Sequence, residues 1–131
     1  MPHEDSQYPD EWFAIAEKDL HRVTRALADD DPELAGYCLQ QSVEKFLKGF
    51  LISRGWKLRR VHDLVALLDD SLVYEPSFAQ FRPSCETITD YYLPMRYPFA
   101  PDDLPSGDEV ESSLEAISGL IEQIQQARSR A

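Results

Sequence analysis

The sequence predicts an all-α fold, an antiparallel bundle of four to five helices, and three observations carry that expectation. Leu (15) and Ala (11) together outnumber the 15 Val, Ile and Thr residues, a composition that favours helix over sheet. Apolar residues recur at spacings of three and four along most of the chain, the period of a helix with one buried stripe. The length, 131 residues, suits a single domain spanning 1–131, with a core over about residues 10–127, and is short for two.

The first helix is expected over about residues 10–29. Phe13, Ala16, Leu20, Val23 and Leu27 form its stripe, and Pro9 suits a first turn, where a missing N–H has no partner to lose. Asp31-Pro32 stops and restarts the chain: Asp31 can cap the next helix, Pro32 fits its first position and Glu33 faces the positive dipole end. That second helix, about Pro32 to Ser53, carries Leu39, Val43, Phe46 and Phe50, widened by Leu47 and Leu51, and ends at Gly55. Gly36 and Gly49 lie inside it. Each costs up to about 1 kcal/mol against Ala, so close approach of a neighbouring helix is the reason to keep them.

A short helix follows from His62 or Asp63, with Leu64, Leu67 and Leu68 inward. Phe78, Phe81, Cys85, Ile88 and Tyr92 again step by three and four, and Pro83 within them implies a kink or a late start. Residues 93–106 hold Pro94, Pro98, Pro101 and Pro105, which predicts a stiff non-helical crossing. Ser106-Gly-Asp-Glu109 reads as a capping box for a last helix built on Val110, Leu114, Ile117, Ile121 and Ile124. The first few residues and those after about Ala127 are expected to be loose.

Composition bounds the function. A net charge of −11 repels phosphate backbones, which argues against bulk DNA binding. No apolar run approaches a membrane span and no signal segment opens the chain, so neither membrane nor secretion is expected. Cys38 and Cys85 make no disulfide framework or zinc site, which fits a reducing cytoplasm. No cofactor motif, no metal-ligand spacing and no activated Ser or Cys is visible.

Charge is unevenly placed. Residues 44–60 contain Lys45, Lys48, Arg54, Lys57, Arg59 and Arg60 against Glu44 alone, a local +5. This island suits a phosphate-bearing ligand or a short stretch of RNA, or else simply complements the negative end of the second helix. Gln41, Lys45 and Lys48 share a helix face with Gln40 and Glu44, away from Phe46 and Phe50, either as a site or as a solvated face with local pairs. His62 can cap N–H groups, bond a carboxylate or exchange a proton, and Asp63 stands beside it. His3 and His21 invite no chemical role. Tyr91-Tyr92-Leu-Pro-Met-Arg96-Tyr97-Pro98 sets an Arg among tyrosines and prolines, either to hold a guanidinium for phosphate or to plug one end of the bundle.

In order, Ala16-Glu-Lys-Asp19-Leu20, Gln40-Gln41-Ser-Val-Glu44-Lys45-Phe-Leu-Lys48, Val61-His62-Asp63-Leu64 and Tyr92-x3-Arg96-Tyr97-Pro98 resemble the small prokaryotic HEPN domain family across about residues 10–125. The resemblance implies a helical bundle, a homodimer, and a minimal nucleotidyltransferase as partner in a toxin–antitoxin-like pair. It also implies a nucleotide or RNA end as ligand. Many members are metal-independent RNases in which an Arg and a following His are separated by four to six residues. No Arg precedes His3, His21 or His62 at that spacing here, and no His follows Arg96. The resemblance is therefore to the branch in which nucleotide binding is inferred.

On that reading Lys45, Lys48 and Arg96 contact phosphate and Tyr97 stacks on a base, with Gln41 alongside. His62 and Asp63 orient the pocket or move a proton, and are the candidates for catalysis if any reaction occurs. The alternatives are a non-catalytic protein-interaction module and, third, an RNase using His62 with an Arg distant in sequence.

Overall fold

The computed structural model describes residues 6–95, 97–98 and 103–129. Helix α1 spans Pro9–Ala28 and α2 Pro32–Ser53; α3 spans Leu64–Ser71, α4 Arg82–Ile88 and α5 Gly107–Ser129. Two 3₁₀ segments, Pro76–Phe81 and Thr89–Met95, flank α4, and no strand occurs among the described residues. None of these helices is long and apolar enough to cross a membrane.

The predicted stops and starts are made by the residues that signalled them. Asp30 takes a positive φ of 57°, which Asp tolerates, and the Asp31 carboxylate accepts the Leu34 N–H at 3.3 Å to begin α2. Gly55 closes α2 at φ 88°. Asp63, and not His62, caps α3 by accepting from the Val65 N–H at 2.9 Å. At α5 the Ser106 hydroxyl accepts the Glu109 N–H at 3.1 Å, making the N-cap, while the Glu109 carboxylate reaches back to the Ser106 hydroxyl and not to its backbone N–H.

Helix α2 is the axis. The α1, α3 and α5 helices and the 89–95 segment all pack on it. Phe46, Phe50, Leu39, Leu47 and Leu51 are fully buried there, with Phe13, Val23, Phe78, Ile88, Ile117 and Leu120 from the surrounding elements. The two internal glycines are where neighbours come closest: a Cβ on Gly49 would meet the Phe13 ring at 2.8 Å, and one on Gly36 the Tyr91 side chain at 3.2 Å.

Two expectations around residues 89–95 are corrected. Tyr92 does not continue the Ile88 stripe; Tyr91 is buried in its place and its hydroxyl lies 2.9 Å from the Ser113 Oγ. The backbone becomes 3₁₀ at Thr89, and with three residues per turn the inward position falls at i+3. That 3₁₀ segment also runs through Pro94 to Met95, so the crossing begins later than residue 93. At the far end α5 stays helical to Ser129, two residues past the expected loosening.

Candidate functional site

The polar face of α2 is not solvated, because the elements around α2 cover it. Gln40, Glu44 and Lys48 stand four residues apart on one line of the helix and are 0%, 3% and 4% exposed. Side chains of this kind are rarely buried unless paired, and these are paired with each other. The Gln40 amide donates to Glu44 Oε1 at 3.1 Å and to the His62 carbonyl at 3.2 Å. The Lys48 ammonium donates to Glu44 Oε2 at 3.0 Å and lies 5.4 Å from the centre of the buried Trp12 ring. Gln41, half-buried, donates its side-chain N–H to Gln40 Oε1 at 2.7 Å.

His62 completes this network from outside the helix. Its Nδ1 lies 3.1 and 3.2 Å from the two Glu44 oxygens, while its side chain remains 61% exposed. Two segments distant in sequence thus meet at one carboxylate, and the imidazole is the part that reaches solvent. The Leu64 N–H donates to the Thr89 hydroxyl at 3.0 Å, tying the start of α3 to the 3₁₀ segment behind it. Among the described residues no buried side-chain polar atom lacks a partner.

A second cluster joins α2 to α1. Lys45 donates to Asp19 Oδ2 at 2.7 Å and Arg22 to Asp19 Oδ1 at 2.7 Å, with Asp19 buried and the Lys45 side chain 17% exposed. Lys45 and Lys48 are therefore each neutralised by a carboxylate of the protein, which corrects the expectation that they offer free charge on one surface. Nearby burial, with the Asp19 charge, pushes the Cys38 thiol above its usual range.

The remaining cations of the basic stretch lie on the exposed turn between α2 and α3. Arg54 sits 5.1 Å from the Phe50 ring centre, and Lys57 makes no hydrogen bond or ion pair with described residues. Arg59 pairs with Asp70 and lies 5.8 Å from the Trp56 ring centre, while the Trp56 indole N–H donates to the same Asp70 at 3.0 Å. Together with Asp69, Val73 and Tyr74 they line a shallow cleft in which Val73 is 82% exposed.

Of the residues singled out from sequence, Gln41, Lys48 and His62 are brought together through Gln40 and Glu44, and Lys45 stands apart on Asp19. Asp63 is exposed and occupied in capping α3. Tyr97 is 58% exposed, its backbone N–H donating to the Leu93 carbonyl at 2.9 Å, and its side chain makes no hydrogen bond to the His62 network. Arg96 lies outside the described residues. The residue that sequence reading placed beside the site, but not in it, is Glu44. Its signal was available: it is the only acid within the basic stretch and lies four residues from both Gln40 and Lys48. No group of His, Cys, Asp and Glu among the described residues is arranged to hold a metal ion.

The HEPN domain family model matches residues 9–127. Among solved structures, TT1696 from Thermus thermophilus superposes with a TM-score of 0.71 at 24% identity, covering 90% of this chain and 96% of that one. ST0689, described as an archaeal HEPN homologue, gives 0.73 at 23% identity over 92% and 97% of the two chains. At such identities the two structures establish the shared fold. No curated protein matches the sequence.

Proposed function

Because the chain belongs to the HEPN domain family, we propose that it is a homodimeric helical protein that binds a nucleotide or an RNA end. In this reading it works with a minimal nucleotidyltransferase in a toxin–antitoxin-like pair. The observation that supports the binding site is the exposed imidazole of His62 at the end of a buried Gln40–Glu44–Lys48 network. Burying a carboxylate and an ammonium is seldom better for stability than packing apolar groups of similar volume. A network of this kind is accounted for if it orients the one member that reaches the surface.

The ligand meets His62 and Gln41, with Arg96 and Tyr97 assigned from sequence as the phosphate and base contacts. Lys45 and Lys48 serve the site from within, holding Asp19 and Glu44. The exposed turn carrying Arg54, Lys57, Arg59 and Arg60 supplies the local positive potential that draws an anion to an otherwise acidic surface. Calorimetric titration with ATP, GTP and a short RNA tests the site. Saturable binding that weakens in His62→Ala and Arg96→Ala supports it. The site is rejected by absence of binding in the wild type, or by affinities that both substitutions leave unchanged.

A second reading, a protein-interaction module, is favoured by one observation: both α2 lysines already have internal partners, whereas Val73 and Tyr74 stand exposed beside Trp56. Its signature is a complex with the nucleotidyltransferase that survives His62→Ala and Arg96→Ala but is lost in Val73→Asp.

A further inference from the structure

We infer that Glu44 fixes His62 as the tautomer protonated on Nδ1, so that the ring nitrogen offered to a ligand, Nε2, is a hydrogen-bond acceptor. The inference rests on the binding reading only for the identity of the ligand; the tautomer stands on geometry alone. An ionised carboxylate only accepts. Both Glu44 oxygens already accept, Oε2 from Lys48 at 3.0 Å, with both side chains almost wholly buried, and Oε1 from the Gln40 amide at 3.1 Å. His62 Nδ1 faces both carboxylate oxygens at 3.1 and 3.2 Å. A lone pair on Nδ1 would be set against two acceptors with no donor between them, so the proton resides there. In a neutral imidazole the other nitrogen then has no proton.

The consequence is a rule about the ligand. Nε2 belongs to the exposed part of the ring and recognises a group that donates, a hydroxyl or an amine. A phosphate oxygen is itself an acceptor and gains nothing from the neutral ring. For a nucleotide, His62 therefore reads the nucleoside portion, its sugar hydroxyls or base amino group, and the phosphates belong to the cations. Glu44 is the positioning residue, and Lys48 and Gln40 fix it in turn.

Histidine-selective ¹⁵N NMR on the intact, uniformly labelled protein decides the tautomer, with the His62 signal assigned by its loss in His62→Gln. The pH is raised until the imidazole shifts stop moving, so that the neutral ring is observed. The expected result is a pyrrole-like nitrogen at Nδ1 and a pyridine-like one at Nε2. In Glu44→Gln one of the two acceptor oxygens facing Nδ1 becomes an NH₂ donor, so the Nδ1-protonated fraction falls, while exposed His21 is unaffected. A wild-type His62 protonated on Nε2 overturns the inference, and that measurement needs no variant to fold. So does a pattern that Glu44→Gln leaves unmoved in a folded protein.

The ligand rule has its own readout. His62→Ala should weaken ATP by about tenfold, the loss of one hydrogen bond, and leave tripolyphosphate unchanged. Equal losses for both overturn the rule. If the wild type binds neither probe, the binding reading fails while the tautomer result still stands.

Discussion

Replacing Lys48 by Met tests the buried network where it is most sensitive. The methionine keeps the length and most of the apolar stem packed under Trp12, but removes the ammonium that lies 3.0 Å from Glu44 Oε2 and 5.4 Å from the Trp12 ring centre. The Glu44 carboxylate is then left buried with only Gln40 and His62 as donors. Removing one partner of a buried ion pair costs about 3–5 kcal/mol. The lower figure, about 3 kcal/mol, applies here because two N–H groups still face the carboxylate. With a urea slope of about 2 kcal/mol/M for a chain of this size, the midpoint should fall by about 1.5 M. The double variant Glu44→Gln with Lys48→Met removes the stranded charge and should recover about 2 kcal/mol of the loss, and with the Glu44→Gln single variant the cycle gives the coupling. Equilibrium urea unfolding of the four proteins, followed by far-ultraviolet circular dichroism, gives every term. A Lys48→Met loss below about 0.5 kcal/mol, or a double variant no more stable than the single, would refute the view that Lys48 exists to hold a buried Glu44 charged.

Gly49→Ala should destabilise by about 1–2 kcal/mol in thermal or urea unfolding. Its Cβ would stand 2.8 Å from Phe13 Cε1, and better helix propensity offsets the clash by at most about 1 kcal/mol. Gly36→Ala, with its nearest contact at 3.2 Å, should cost less. Asp31→Ala removes the acceptor for the Leu34 N–H and should cost about 1 kcal/mol by the same measurement. Burial pushes the Cys85 thiol up to about 12 from an ordinary value of 9.0. In the native protein it should resist iodoacetamide and react only as fast as the chain opens. The folded state holds this proton to higher pH than the unfolded state does. The thiol's contribution is therefore complete below pH 9.0 and is lost as pH rises toward about 12. Stability should fall more steeply over that window in the wild type than in Cys85→Ala.

The helices were legible because each carries its own local instructions. Asp31-Pro32, Gly55 and Ser106–Glu109 mark ends with groups that satisfy or free backbone N–H and C=O within a turn, and all three act as marked. Gly36 and Gly49 were legible for a different reason: they are costly where they stand, so their presence implied a close neighbour. The helical period points Tyr92 inward where the structure buries Tyr91, because that period does not hold past Thr89. Nothing adjacent in the chain announces the tightening to 3₁₀ there, and it is set by packing on Gly36 and the hydrogen bond to Ser113.

The candidate site divides along the same line. From sequence alone came the residues: a polar row on α2, a histidine before α3, a local excess of cations and the family they resemble. Whether that row faces water depends on how many neighbours α2 acquires, and only the packed bundle decides this, surrounding it so that Gln40, Glu44 and Lys48 are buried. Once buried, each charge must find its opposite within reach. Lys45 is therefore committed to Asp19, 26 positions away, and Glu44 to both Lys48 and His62. Spacing along a helix specifies which side chains share a face; desolvation, a property of the assembled bundle, decides which of them are left for a ligand.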